Sequence, residues 1–205
     1  MAAEFRTPYS GYDVLAKRDT PSWNPQTREV VEARLTQVPG RRFLEPGELR
    51  TLEAVCARLL PQPDRPEHPV PIAPWIDAQL YEGRGGEGFR FEEMPPLREA
   101  WRRGLAGIEA EAHRRHGLGF CALAAAQQDA VLQAVQRGEV QGAEWERLPA
   151  RRFFSSTLLK TVVGIYYAHP AAWSEVGFGG PASPRGYARL GANQRDPWEA
   201  RGHED

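Results

Sequence analysis

The chain has 205 residues, 41% of them hydrophobic, enough for one core of ordinary domain size or one core with long extensions. Its net charge is -1 and its pI is near 6.5, so no global field draws in nucleic acid or an anionic membrane surface. No apolar run approaches the length that spans a bilayer, and the opening MAAEFRTPYSGYD lacks both the apolar stretch and the cleavage site of a signal peptide.

Residues 1–42 read as an N-terminal arm. It carries Pro8, Pro21, Pro25 and Pro39, and its aromatics Phe5, Tyr9, Tyr12 and Trp23 exceed what a disordered tail needs. Within it, NPQTREVVEARL predicts one short helix with Asn24 as N-cap and Pro25 at the first helical position. GRRFLE at 40–45 mimics a twin-arginine export signal. The charged PGELRTLE that follows replaces the apolar run such a signal requires.

Residues 43–170 read as a helical body. EPGELRTLEAVCARLLP places Leu49, Leu52, Val55, Cys56, Leu59 and Leu60 on one face. PWIDAQLYEG gives a shorter helix with Ile72, Ile76 and Leu80 on one side, and GRGGEGFRFEEMPP is a flexible connection. The next helix carries Leu97, Trp101, Leu105, Ile108 and Ala112 and ends at Gly117. Another carries Val131, Leu132 and Val135 and ends at Gly138. ARRFFSSTLLKTVVGIYYAHP is the longest apolar helix, with Phe153, Phe154, Leu158, Val162, Ile165 and Tyr166 as the central core. No strand period stands out. The expected class is all-α, an irregular bundle of about five helices with long non-regular N- and C-terminal arms, the second over residues 171–205.

Chemical motifs are absent: no GxGxxG after a strand, no phosphate loop, no CxxCH, no cysteine cluster and no GxSxG elbow. The best metal candidate is His113 with His116, three apart on one helix, with Cys121 and His169 as remote additions. Their place in a last helical turn equally suits capping of terminal carbonyls. Cys56 and Cys121 read as small buried core residues. The doublets Arg41-Arg42, Arg102-Arg103, Arg114-Arg115 and Arg151-Arg152, and the acids Glu92-Glu93 and Glu109/Glu111, read as solvated faces. No residue presents itself as catalytic, cofactor-binding or metal-ligating with support from a second motif.

The most informative stretch is 164–199. Its glycines permit close backbone approach, its prolines lower the entropy lost on ordering, and Tyr166, Tyr167, Trp173, Phe178, Tyr187 and Trp198 bring apolar area. Composition leaves two readings: a loop packed over the protein's own bundle, which incurs no association cost, or a loop laid against another chain.

Here the pattern resembles the gluconate 2-dehydrogenase subunit 3 family. The matching residues are Phe153-Phe154, Thr161, Gly164, Tyr166, Pro170, Phe178-Gly179-Gly180, and Gly186-Tyr187 to Gly191. FLEPGELRTLEAVCARLLP, WIDAQL and GFCALAAAQQDAVLQAVQRG follow the family's earlier parts in order, so the resemblance covers about residues 43–200. Pro181 stands where the family usually has Asn, and AAWSEVG is an extra insertion before Phe178.

The resemblance implies a non-catalytic small subunit, with FAD in a large partner of the glucose–methanol–choline oxidoreductase type and none in this chain. That partner would oxidise a sugar or other alcohol and pass electrons to a separate acceptor protein. The implied partner-binding residues are Tyr12, Trp23, Tyr166, Trp173, Phe178, Gly179, Gly180, Gly186, Tyr187 and Trp198. The implied location is the cytoplasm, or outside it by co-export with the partner. The alternatives are a free-standing helical interaction protein and a metal-binding enzyme using His113 and His116.

Overall fold

A computed structural model describes residues 7–84, 93–181, 191, 194 and 199–202. Phe5, Glu92 and most of the expected connection GRGGEGFRFEEMPP lie outside the described residues. The protein is all-α: the described residues form seven α-helices, short 3-10 turns and one π-helical stretch, with no strand among them. The helices are α1 (Pro25–Thr36), α2 (Pro46–Leu59), α3 (Ile72–Glu82), α4 (Leu97–His116), α5 (Ala125–Arg137), α6 (Ala150–Arg152) and α7 (Lys160–Ala168). Two compact units divide the chain. One is Val38–Ile165; the other joins the two ends, Met1–Gln37 and Tyr166–Asp205, and the second boundary falls inside α7.

In the unit Val38–Ile165, the apolar stripes read from sequence form the core. Leu52 and Val55 of α2, Trp101, Leu105, Ile108 and Ala112 of α4, and Val131 and Val135 of α5 are all buried. Each such side chain contributes roughly 1.5–3 kcal/mol by leaving water. α4 and α5 stop where expected, at Gly117 and Gly138, both in the left-handed conformation that lets the capping N–H turn back to the last carbonyls.

The tightest contact is a notch in α4. A Cβ on Gly104 would overlap the Phe153 ring, and one on Gly107 would lie 2.5 Å from the Trp145 ring. The absence of side chains there admits two aromatics. Phe153 meets Trp101 edge-on at 6.0 Å between centroids and Trp145 at 6.1 Å, geometries that add about 0.5–1.5 kcal/mol per pair. Phe153 opens a π-helical stretch, Phe153–Leu159, inserted between α6 and α7. It turns Phe153, Phe154, Thr157 and Leu158 inward.

Polar groups fasten the same unit. The carboxylate of Asp77 in α3, wholly buried, accepts the backbone N–H groups of Arg42 (2.6 Å), Phe43 (3.1 Å) and Leu44 (2.7 Å). This fixes the strand of chain leading into α2, whose start is closed by a Glu45–Glu48 capping box. Arg58 of α2 grips Asp129 of α5 through two hydrogen bonds of 2.7 Å, which hold the Asp129 carboxyl below its ordinary range.

Three expectations are corrected. Glu111 is not a solvated acid but is almost wholly buried in α4. Arg114 and Arg115 are correspondingly not a free face: both pair with Glu111, Arg115 at 2.5 Å, while their other nitrogens reach the carbonyls of Gln141 and Glu139. Helical spacing of three and four residues brings all three onto one face. Cys121 is exposed, in the 3-10 turn Phe120–Ala122, because the turn's single buried position is taken by Phe120. Cys56 is buried as expected, both thiols are free, and burial pushes that of Cys56 up to about 12.

In the unit of the two ends, Asn24 caps α1 by accepting the Thr27 N–H at 2.7 Å, as the sequence predicts. A 3-10 turn over Val14–Lys17 precedes it, and a second, Pro170–Val176, follows α7 with His169 as its cap. Val14, Trp23, Val31 and Trp173 form a buried cluster flanked by Tyr12, Leu15 and Leu35. Hydrogen bonds repeat this joining: Thr7 Oγ1 to the Glu175 carbonyl (2.8 Å), Val14 N–H to Ser174 Oγ (3.1 Å), and the buried Lys17 ammonium to the Gly179 carbonyl.

Two predictions follow from the packing. Gly104→Ala lowers stability by about 1–3 kcal/mol in urea denaturation, since Phe153 must leave its place. Gly164→Ala, whose Cβ would meet nothing within 4 Å, instead raises it by roughly 0.5–1 kcal/mol. The second concerns acid. Burial pulls the Glu111 carboxyl upward, but hydrogen bonds from Arg115, the Gln141 N–H and Arg114 outweigh it, so its net shift is downward. A depressed native pKa means stability present above the unfolded carboxyl's value and lost as pH falls through the native one. Urea midpoints measured from neutral to acid pH should therefore fall more steeply for the wild type than for Glu111→Gln, which is already weaker at neutral pH.

Candidate partner-binding site

In the unit of the two ends, the exposed large apolar residues Val30, Val176 and Phe178 gather around one groove. α1 begins at its Asn24 cap and presents Gln26, Thr27, Val30, Val31 and Arg34 along one wall. Tyr167 and Ala168 at the end of α7, with Trp173, Val176, Phe178 and Pro181, form the other. The space between is about 750 Å³. Its lining is apolar at the floor, where Val31 and Trp173 are buried, and on the rim, where Val30 is 55% exposed and Phe178 44%. Phe178 stands edge-on to Trp173 at 5.3 Å between centroids, so the exposed ring is held in place by the buried one. Arg34, whose guanidinium lies 3.4 Å from the Ala168 carbonyl, supplies positive charge at the edge.

The backbone beneath the groove is pinned from inside the unit. His169 faces the Arg34 carbonyl with Nε2 at 2.8 Å and accepts the Ala171 N–H on Nδ1. Tyr166 donates its hydroxyl to both Glu175 oxygens, at 2.8 and 3.0 Å. At Gly180, φ is +72° and a Cβ would come 3.1 Å from both Trp23 and Val14, so glycine is required there for two reasons.

Of the partner-binding residues implied by the sequence, Trp173 and Phe178 line the groove, one buried and one exposed. Trp23 and Tyr166 are buried, Trp23 in the cluster of the unit of the two ends, and Gly180 packs on Trp23. Tyr12 is half-buried with its hydroxyl 3.5 Å from the Phe178 carbonyl, and the Gly179 carbonyl accepts from Lys17. Gly186, Tyr187 and Trp198 lie outside the described residues. Tyr167, one of the aromatics singled out in the 164–199 stretch, also lines the groove, as do Val30 and Val176, which the sequence reading did not single out. The pair Val30-Val31 inside an otherwise polar helix was the available signal, since one of two adjacent helical positions had to face outward.

Among the described residues, His113 and His116 are joined by no third metal-ligating side chain. The His113 Nδ1 lies 3.0 Å from the Glu109 carbonyl, while the His116 Nδ1 faces the Gln127 amide at 3.5 Å. Both nitrogens of His169 are occupied by backbone groups. Among the described residues no group of three or more His, Cys, Asp and Glu side chains is placed to hold a metal ion.

A family profile described as gluconate 2-dehydrogenase subunit 3 matches residues 46–180, from the first turn of α2 to the glycine beside Trp23. The chain belongs to the gluconate 2-dehydrogenase subunit 3 family. Comparison with curated proteins and with solved structures gives no match. The family is named for a subunit of a dehydrogenase complex. Among the described residues of this subunit 3 relative, no helix is long and apolar enough to cross a membrane. The matched span takes in the Trp173–Gly180 wall of the groove; α1, the opposite wall, lies before it.

The two tryptophan-side rings should separate structure from surface. Trp173→Ala should cost about 3–5 kcal/mol and abolish amide-exchange protection in α1. Phe178→Ala should cost about 1 kcal/mol or less and leave that protection intact.

Proposed function

We propose that this chain is the non-catalytic small subunit of an FAD-dependent dehydrogenase of the glucose–methanol–choline type, which it binds and stabilises. The observation that carries the reading is the family match across residues 46–180. The groove supports it, offering exposed valine and phenylalanine beside buried tryptophan, the mix of apolar anchor and polar edge that protein interfaces use. In this reading FAD, the alcohol or sugar substrate and the redox chemistry belong to the large chain, and electrons leave through a separate acceptor. The small subunit holds the large one in a folded, active form and shares its compartment, cytoplasmic or reached by joint export.

Co-expression with an FAD-dependent dehydrogenase chain tests this. The expected result is a complex burying about 1,200–2,000 Å² in total, with a large chain that is more soluble and melts higher than alone. Val30→Asp with Phe178→Asp should weaken it by at least about tenfold, in line with loss of interface anchors. A small chain that binds no such dehydrogenase, or that oxidises an alcohol by itself, contradicts the reading.

A further inference from the structure

In the unit Val38–Ile165, three arginines lie over two aromatic rings, and Arg41 precedes one of them in the chain. Arg98 and Arg102, one turn apart on α4, both lie over Phe43, at 5.6 and 4.7 Å from its centroid. Arg42 lies over Tyr81 at 5.2 Å. Backbone carbonyls steady the group: Arg98 donates to Leu80 and Tyr81 at 2.7 Å, Arg102 to Phe43 at 3.0 Å and Arg41 to Leu44 at 2.7 Å. All four arginines are exposed.

No acid among the described residues forms an ion pair with any of the four. The nearest acids are engaged elsewhere: Asp77 is buried on the backbone of Arg42–Leu44, Glu82 pairs with Arg84, and Glu99 pairs with Arg103. Asp77 offsets one of the four positive charges from below. A guanidinium has five N–H donors; here Arg98 uses two, Arg41 and Arg102 one each, and the Arg42 side chain none. The free donors are planar forks already fixed in direction, the geometry that accepts a carboxylate through two bonds. A surface that was only a solvated face would scatter these side chains among acidic neighbours; this one stacks Arg42, Arg98 and Arg102 on rings and anchors Arg41 on a carbonyl, leaving donors of each unused.

We propose that Arg41, Arg42, Arg98 and Arg102 form a docking surface for a carboxylate-rich face of the dehydrogenase subunit. This rests on the reading proposed above and adds a second contact, electrostatic where the groove is apolar. Nucleic acid fits less well. Single strands stack bases on open aromatic faces, whereas guanidinium groups cover Phe43 and Tyr81, and the net charge of -1 gives no long-range attraction for a polyanion. Opposed charge of this kind sets association rate and partner choice.

The test uses the full chain with the dehydrogenase chain it captures. Arg42→Glu is the main variant, because that side chain makes no hydrogen bond the fold depends on; Arg98→Glu with Arg102→Glu is the stronger one. Arg42→Glu should keep a melting temperature near wild type, and both variants should weaken association at least about tenfold at low ionic strength, with a flattened salt dependence of the association rate. Wild-type affinity and salt dependence in Arg42→Glu and in the double variant overturn the proposal and leave the subunit reading standing. A wild-type chain that binds no dehydrogenase removes both. If Arg42→Glu instead abolishes binding to oligo-dT, to phosphatidylserine vesicles or to a second copy of the chain, with dehydrogenase binding unchanged, the surface serves that other occupant and the proposal is wrong.

Discussion

The burial of Trp23 and Trp173 against Val14 and Val31 is the constraint on which the unit of the two ends depends. Segments as short as either end seldom bury enough apolar area to fold alone. Trp23 comes from a proline-broken segment before α1, and Trp173 from a 3-10 turn after α7. Packed together, they fix α1 opposite the Pro170–Val176 turn, and the groove is the space that arrangement leaves. The short contacts around Gly180, and the Lys17 and Thr7 hydrogen bonds, follow from the same closure.

Much of the helical unit was legible in the sequence because its signals are local. The stripes of α2, α4 and α5, the glycine stops at 117 and 138, and the Asn24 cap all depend on residues within a turn or two of one another. What stayed hidden depends on partners distant in the chain. Glu111 looks like any acid in a charged helix until Gln141 is brought to it, 30 residues on. Asp77 needs the backbone of 42–44. The notch at Gly104 and Gly107 has no meaning until Phe153 and Trp145 arrive, and the π-helical turns at Phe153 answer to that packing rather than to propensity.

The same distinction runs through the candidate site. Aromatic residues flanked by glycine and proline pointed to the C-terminal segment as adhesive, and Trp173 and Phe178 do stand at the groove. Their division of labour was not readable: in a compact segment the same residue type serves as floor or as rim, and only burial tells which. The arginine doublet at 41–42, which in sequence looked like a failed export signal, becomes part of a surface once α3 and α4 supply Tyr81, Arg98 and Arg102. On the reading proposed above, the groove and that surface would be two recognition faces, one apolar and one ionic.

A unit stitched from both ends has a consequence for biosynthesis. Thr7 bonds to Glu175, 168 positions later, so during synthesis the segment around Thr7 waits until the chain has grown past Glu175. The stretch 38–165 is continuous and can settle as it emerges, since domains fold as units in order of synthesis. Through that interval Trp23 and Val31 are uncovered. The nascent N-terminal segment is thus the natural target for a chaperone, and a stalled or truncated message yields a helical core with an unfinished, adhesive end.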